Sequence, residues 1–217
     1  MPNAVAAVIF DLDGTLVDSL PGITASVQAV VEECFPGRKV PDLDRFIGPP
    51  IGVMIKQLWP ELSDGELQLA ITSFRRHYDT EGYLLSRLFS GVDETLATLH
   101  YAGLQLFVLT NKPALPTLAI LDAKGIKARF TAVVSPDSSE PPFKCKNAAA
   151  VALQARHSLE CERTVLVGDG RDDHDAAAYC GFAFIAAAYG YGQAFTLENS
   201  RPIAVLKTFS DIVSHVL

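Results

Sequence analysis

Val8-Ile9-Phe10-Asp11-Leu12-Asp13-Gly14-Thr15-Leu16-Val17-Asp18-Ser19 is the stretch that decides the fold. The apolar run from Ala4 to Phe10 ends at Asp11, and it reads as a buried strand over Val5–Phe10. Two carboxylates one residue apart at the end of such a strand are physically odd. Alternation along extended backbone sends Asp11 and Asp13 to the same side. Two such charges repel unless a cation or a shared proton compensates them. Gly14 lets the backbone turn sharply, and Thr15 offers a hydroxyl beside the pair. Asp13-Gly14 alone would mark only a turn, but the full string is far more specific.

Working outward, four more short apolar runs read as buried strands: Leu104–Leu109, Phe130–Val134, Thr164–Val167 and Phe182–Ala186. Helical patterns ending in glycine lie between the later ones. Val92, Leu96 and Leu99 share a face before Gly103, and Leu115, Leu118 and Leu121 do so before Gly125. Ala176 to Cys180 precede Gly181 in the same way. Strand and helix in alternation predict an α/β fold, a Rossmann-like parallel sheet covered on both faces.

Residues 19–89 break that rhythm and hold no convincing strand. Ile23, Val27, Val30, Val31 and Cys34 predict one amphipathic helix, with Pro21 suited to its first turn. Ser63-Asp64-Gly65-Glu66 predicts a capping box opening a second, carried by Leu67, Ala70, Ile71, Phe74 and Tyr78. Pro36, Pro41 and Pro49-Pro50 separate the pieces. The expected partition is a sheet core over 1–18 and 90–217, interrupted by an inserted α-helical cap over 19–89.

With 18 basic and 25 acidic residues the net charge is -7. That argues against a broad nucleic-acid or anionic-membrane surface, which needs clustered Lys and Arg. No signal segment or run long enough to span a bilayer is apparent. Cys34, Cys145, Cys161 and Cys180 lack paired spacing, so free, buried or half-buried thiols in a reducing cytoplasm are expected. Nothing in the sequence sets an oligomeric state.

Val8 to Thr15 resembles the first motif of the haloacid dehalogenase superfamily, a hydrophobic strand followed by Asp-x-Asp-Gly-Thr, and the resemblance covers nearly the whole chain. It implies a nucleophile at Asp11, which attacks phosphorus to give an aspartyl phosphate, and a general acid/base at Asp13. The true dehalogenases lack this second carboxylate, so carbon–halogen hydrolysis is disfavoured. Leu106-Phe107-Val108-Leu109-Thr110-Asn111 is similar to the second motif, which implies that Thr110 donates to phosphoryl oxygens. Gly168-Asp169-Gly170-Arg171-Asp172-Asp173 resembles the motif that supplies metal ligands. It implies Mg2+ held by Asp11, the Asp13 carbonyl, Asp169 and, directly or through water, Asp173. Asp172 and Asp175 are read as charges favoured by a helix N-terminus. The remaining motif needs one lysine shortly before a helix. The spacing of phosphoglycolate phosphatase-like members places it at Lys144, with Lys146 as a competitor and Cys145 where a proline is usual.

The inserted helices resemble the superfamily's first cap type, which closes over the site and selects the leaving group. Phe46-Ile47-Gly48-Pro49-Pro50-Ile51 is similar to its substrate loop. Thr15, Asn111, Gly48, Arg45 and Arg75 are the candidate substrate contacts, with Lys56 and Arg76 as further cap cations. The implied activity is magnesium-dependent hydrolysis of a small phosphate ester, phosphoglycolate-like. Sugar phosphates, nucleotides and pyrophosphate are not separated from it by sequence. A phosphomutase of the beta-phosphoglucomutase type is the rival enzyme, and a non-catalytic phosphate-binding module the rival without chemistry.

Overall fold

The computed structural model of the chain describes residues 4–192 and 202–217. In chain order its strands and α-helices are β1 (Ala7–Phe10), β2 (Val17–Asp18), α1 (Leu20–Cys34), α2 (Ile51–Leu58), α3 (Asp64–Tyr78), β3 (Arg87–Leu88) and α4 (Val92–Tyr101). There follow β4 (Gln105–Leu109), α5 (Ala114–Ala123), β5 (Ala132–Val134), α6 (Lys146–His157), β6 (Thr164–Gly168), α7 (Arg171–Cys180), β7 (Ala183–Ala187), β8 (Ala204–Leu206) and α8 (Val213–Val216). Six strands form one sheet in the order β5-β4-β1-β6-β7-β8. Every pairing in it is parallel. All five expected strands are present, and the Rossmann-like parallel architecture is the one observed.

The alternation on β1 explains why this sheet is covered on both sides. Val8 and Phe10 enter one apolar layer with Leu96, Leu106, Val108, Ile120 and Val167. Ala7 and Ile9 enter the opposite layer with Phe107, Leu109, Ala150, Leu153 and Ala177. A strand buried on both faces can terminate only at its ends, so polar groups collect there.

Residues 20–83 build a third apolar cluster of their own, with Val27 and Val30 from α1, Met54 and Ile55 from α2, and Phe74 and Tyr78 from α3. Pro21 does sit in the first turn of α1, and Ser63 and Glu66 do form the capping box of α3. α2 was not expected, because the prolines around it read as a break. Ile51, Met54, Ile55 and Leu58 nevertheless repeat at helical spacing behind Pro50. The expected absence of strand between 19 and 89 needs correcting as well. β3 pairs antiparallel with β2, Val17 opposite Leu88 and Asp18 opposite Arg87, so the two chain passages into the helices form a small ribbon. β8 was also missed: three residues are too short a pattern to read.

All four cysteines are free, but Cys145 and Cys161 are exposed rather than buried. Among the described residues no helix is long and apolar enough to cross a membrane.

Candidate active site

β1 lies between β4 and β6, at the point where successive strands begin to be added on its other side. Crevices at the carboxyl edge of such a sheet open at this switch point. Asp11 follows β1 directly, and its backbone N–H donates to the Val167 carbonyl at 2.9 Å, extending the β6 pairing. Gly14 then turns the chain with φ +88°. A Cβ there would overlap the Asp169 carboxylate, so the backbone approaches that side chain as only glycine permits.

Asp169 follows β6, and Asp173 lies in the first turn of α7, where its Oδ2 accepts the Gly170 N–H at 3.0 Å. One carboxylate oxygen from each of Asp11, Asp169 and Asp173 lies within 4.8 Å of the others. All three side chains are buried, Asp169 being 9% exposed. Burial and the neighbouring Asp173 charge push Asp169 up to about 7, against the N–H groups of Tyr191 and Gly192, which favour its charge. Burial likewise raises Asp11 well above the usual carboxylate range, opposed by Lys146.

Lys146 supplies the internal cation. Its Nζ is 2.5 Å from Asp11 Oδ1 and 2.5 Å from Asp173 Oδ1. Burial works against its charge, but the two carboxylates outweigh it and hold the ammonium above the ordinary lysine range. Lys144 is exposed, and the expectation that it fills this role is corrected. Residue 144 precedes α6, whereas Lys146 begins it and shares its buried stripe with Ala149, Ala150 and Leu153. That spacing of i, i+3, i+4 and i+7 was the signal in the sequence that separates the two lysines.

Asp13 has a different partner. Lys112 Nζ lies 2.8 Å from its Oδ2, whereas the neighbouring carboxylates cluster around Asp11. The same ammonium sits 4.5 Å from the ring centroid of Tyr78 on α3, in cation–π range. Burial opposes the charge of Lys112, but Asp13 and Tyr78 raise it above the usual lysine range. Sequence reasoning passed over Lys112, because nothing in its local pattern shows that it is buried between core and helices.

Thr110 is buried at the end of β4, its Oγ1 accepting the Lys112 N–H at 3.1 Å. Among the described residues, the Thr15 hydroxyl and Asp13 Oδ1 are buried with no hydrogen-bond partner. Asn111 Nδ2 donates to Asp172 Oδ2 at 2.8 Å and to the Gly48 carbonyl at 3.3 Å. Asp172 therefore does more than favour a helix terminus: it anchors a link from the sheet edge to the loop before α2.

That loop roofs a cavity of about 210 Å³, which reaches Asp13 and Lys112 below and Phe74, Arg75 and Asp79 above. Gly48, Asn111 and Arg75 line it. Lys56 is engaged elsewhere, donating to the Leu62 carbonyl at 2.5 Å, and Arg76 pairs with Glu33. The Arg45 side chain lies outside what the structure describes.

The donor set fits a hard divalent cation. Three carboxylates face one ammonium, so full ionisation leaves two negative charges in a buried cluster of oxygen donors. The unpaired Thr15 hydroxyl and Asp13 oxygen add polar groups to the same edge.

The family model of haloacid dehalogenase-like hydrolases matches residues 8–187, from β1 through β7, and so takes in every residue of this cluster. The chain belongs to that family. Over 223 residues it is 32% identical to a phosphoglycolate phosphatase of Photobacterium profundum, covering 99% of this chain and 96% of that one. It is also 32% identical over 211 residues to the tyrosine-protein kinase PtkA of Mycobacterium bovis, covering 96% of this chain and 68% of that one. The crystal structure of a predicted phosphoglycolate phosphatase from Haemophilus somnus 129pt matches with a TM-score of 0.87 at 28% identity, covering 98% of each chain. As a haloacid dehalogenase-like hydrolase, the protein carries its acidic cluster and its lysine at the carboxyl edge of the sheet that defines the fold.

Proposed function

We propose that this hydrolase is a magnesium-dependent phosphomonoesterase acting on a small phosphorylated metabolite, with phosphoglycolate as the first candidate. The observation that carries the proposal is the buried Asp11 carboxylate, held by Lys146 at 2.5 Å beside Asp169 and Asp173. A buried carboxylate at a strand end is pre-aimed, and a nucleophile fixed in position gains most of what catalysis of this reaction needs.

In the first step an oxygen of Asp11 forms a bond to phosphorus as the ester P–O bond breaks. Asp13 gives its proton to the departing oxygen, which leaves as the free alcohol. In the second step Asp13 takes a proton from water, which attacks the aspartyl phosphate at phosphorus. Inorganic phosphate leaves and the Asp11 carboxylate is restored. Lys112 holds only Oδ2 of Asp13, so the unpaired Oδ1 is assigned as the oxygen that carries the proton. Lys146 offsets the charge that gathers around Asp11. Thr110 and the Thr15 hydroxyl are assigned to phosphoryl oxygens, and Asn111, Gly48, Arg75 and Arg45 to the leaving group. Asp11, Asp169, Asp173 and the Asp13 carbonyl are the residues that would hold Mg2+. When bound, the cation supplies charge compensation between a carboxylate nucleophile and an anionic phosphate.

In this reading residues 1–18 and 90–217 form the catalytic core and 19–89 the cap, in the cytoplasm. The test is a panel of phosphate esters, including phosphoglycolate and glucose 1-phosphate, assayed with and without magnesium. Phosphate release that depends on magnesium is expected. Glucose 6-phosphate from glucose 1-phosphate would instead mark a mutase. Phosphorylated peptide formed from a nucleoside triphosphate would favour the activity named for the mycobacterial relative. No turnover of any ester would leave a phosphate-binding module.

A further inference from the structure

After β7 the chain runs Tyr189-Gly190-Tyr191-Gly192 along the carboxyl edge, and one short segment there touches three parts of the molecule. Its backbone holds Asp169: the N–H groups of Tyr191 and Gly192 donate to Asp169 Oδ2 at 2.7 and 3.2 Å. The approach is so close that a Cβ on Gly190 or Gly192 would overlap Asp169. Its side chains point the other way, to the two passages between core and helices. Tyr191 Oη donates to Asp18 Oδ1 at 2.5 Å and accepts the N–H groups of Ser19 at 2.7 Å and Leu20 at 3.0 Å. It thereby caps α1, whose own Ser19 side chain makes no capping bond. Tyr189 Oη donates to the Thr15 carbonyl at 2.8 Å, and its ring meets Phe89 edge-on at 5.1 Å. Phe89 in turn donates its N–H to the Leu16 carbonyl at 3.2 Å. Burial pushes both phenols well above the usual tyrosine range, so they remain protonated donors.

We infer that Tyr191 is a positioning residue: it ties the β2–β3 ribbon, the hinge on which the helical cap closes, to the loop that orients Asp169, with Tyr189 as a second pin. A cap that swings on two unpinned linkers would present its cavity to the sheet edge at variable distance. The pinned geometry fixes the leaving-group wall relative to the reacting carboxylate. The phenol and the backbone N–H of Tyr191 thus do separable work, the phenol on the cap and the N–H on Asp169. The inference rests on the proposed phosphatase reading only for its kinetic test.

Tyr191→Phe removes the phenol and keeps the N–H. For p-nitrophenyl phosphate, whose ring must enter the cavity, kcat/KM should fall at least about fivefold more than for the much smaller acetyl phosphate. The magnesium concentration for half-maximal rate should stay within about twofold of the wild type. Asp18→Ala removes the acceptor of the Tyr191 phenol and should show the same selectivity in smaller measure, because the phenol still accepts the Ser19 and Leu20 N–H groups. Amide exchange at residues 87–89, which lie across the ribbon from the hydrogen-bond partner Asp18, should quicken in Tyr191→Phe, while β1 stays protected. Equal losses on both substrates, a shifted magnesium requirement with unchanged selectivity, or unchanged exchange at 87–89 would overturn the inference. If the wild type hydrolyses neither compound, the phosphatase reading fails and the exchange result alone decides the role of Tyr191.

Discussion

The carboxyl edge of the sheet and the cavity beneath the helices adjoin each other, yet they are built by opposite rules. At the edge, Asp11, Asp169, Asp173 and Lys146 are buried charges tied to strand ends and to one another. In the cavity, Ile23, Ile47, Met54 and Phe74 supply shape, and Arg75 and Lys112 are its cations. A charge network fails when any member is removed, because the partner left behind is buried and unpaired. An apolar wall trades one side chain for another at modest cost. On the proposed reading, the reaction therefore resides in a part of the molecule that tolerates little change, and substrate choice in a part that tolerates much.

The sharpest way to probe the edge is to compare its two neighbouring lysines. Lys146→Met should cost about 3–5 kcal/mol of stability, the range for breaking a buried pair, and should abolish measurable turnover. Lys144→Met should change stability by less than about 0.5 kcal/mol, as exposed substitutions do, and leave the rate intact. Denaturant unfolding and initial rates on both variants decide the matter. A Lys146→Met protein with wild-type stability would show that the cluster needs no internal cation.

Next in size is the pH response of the edge. Asp169 keeps its proton up to about 7 in the folded protein, above its ordinary 3.8. With divalent ions chelated, its contribution to stability is complete below that ordinary value and lost as pH rises through about 7. The Tm of the chelated wild type should thus fall between pH 4 and pH 8 relative to Asp169→Asn. Magnesium should restore more of it at pH 8 than at pH 5, because a bound cation requires ionised ligands. Identical pH slopes for the two proteins would contradict the assigned burial cost.

The cavity should respond least. Arg75→Ala should raise KM for phosphoglycolate about threefold to tenfold and leave kcat near wild type, the mark of binding lost equally in ground and transition states. A matched fall in kcat would move Arg75 into the reaction itself.

This contrast also explains what could be read from the sequence. The sheet was legible because a strand buried on both faces leaves a continuous apolar run, and Asp11, Thr110 and Asp169 stand where such runs stop. Lys146 was harder, since both lysines precede the same alanine-rich stretch and only the helical phase of Ala149, Ala150 and Leu153 turns one inward. Lys112 and Tyr191 were missed, having no local pattern at all. The partner of Tyr191, Asp18, is 173 positions away in the chain. α2 was hidden by the prolines around it, and β2 and β3 by their two-residue length.

The most direct measurement is to quench the enzyme during turnover of a phosphate ester labelled with radioactive phosphorus and to map the label by peptide mass spectrometry. Label on Asp11, absent in Asp11→Asn, is the expected finding. Turnover at the wild-type rate by Asp11→Asn, or label on any other side chain, would show that the nucleophile has been placed wrongly.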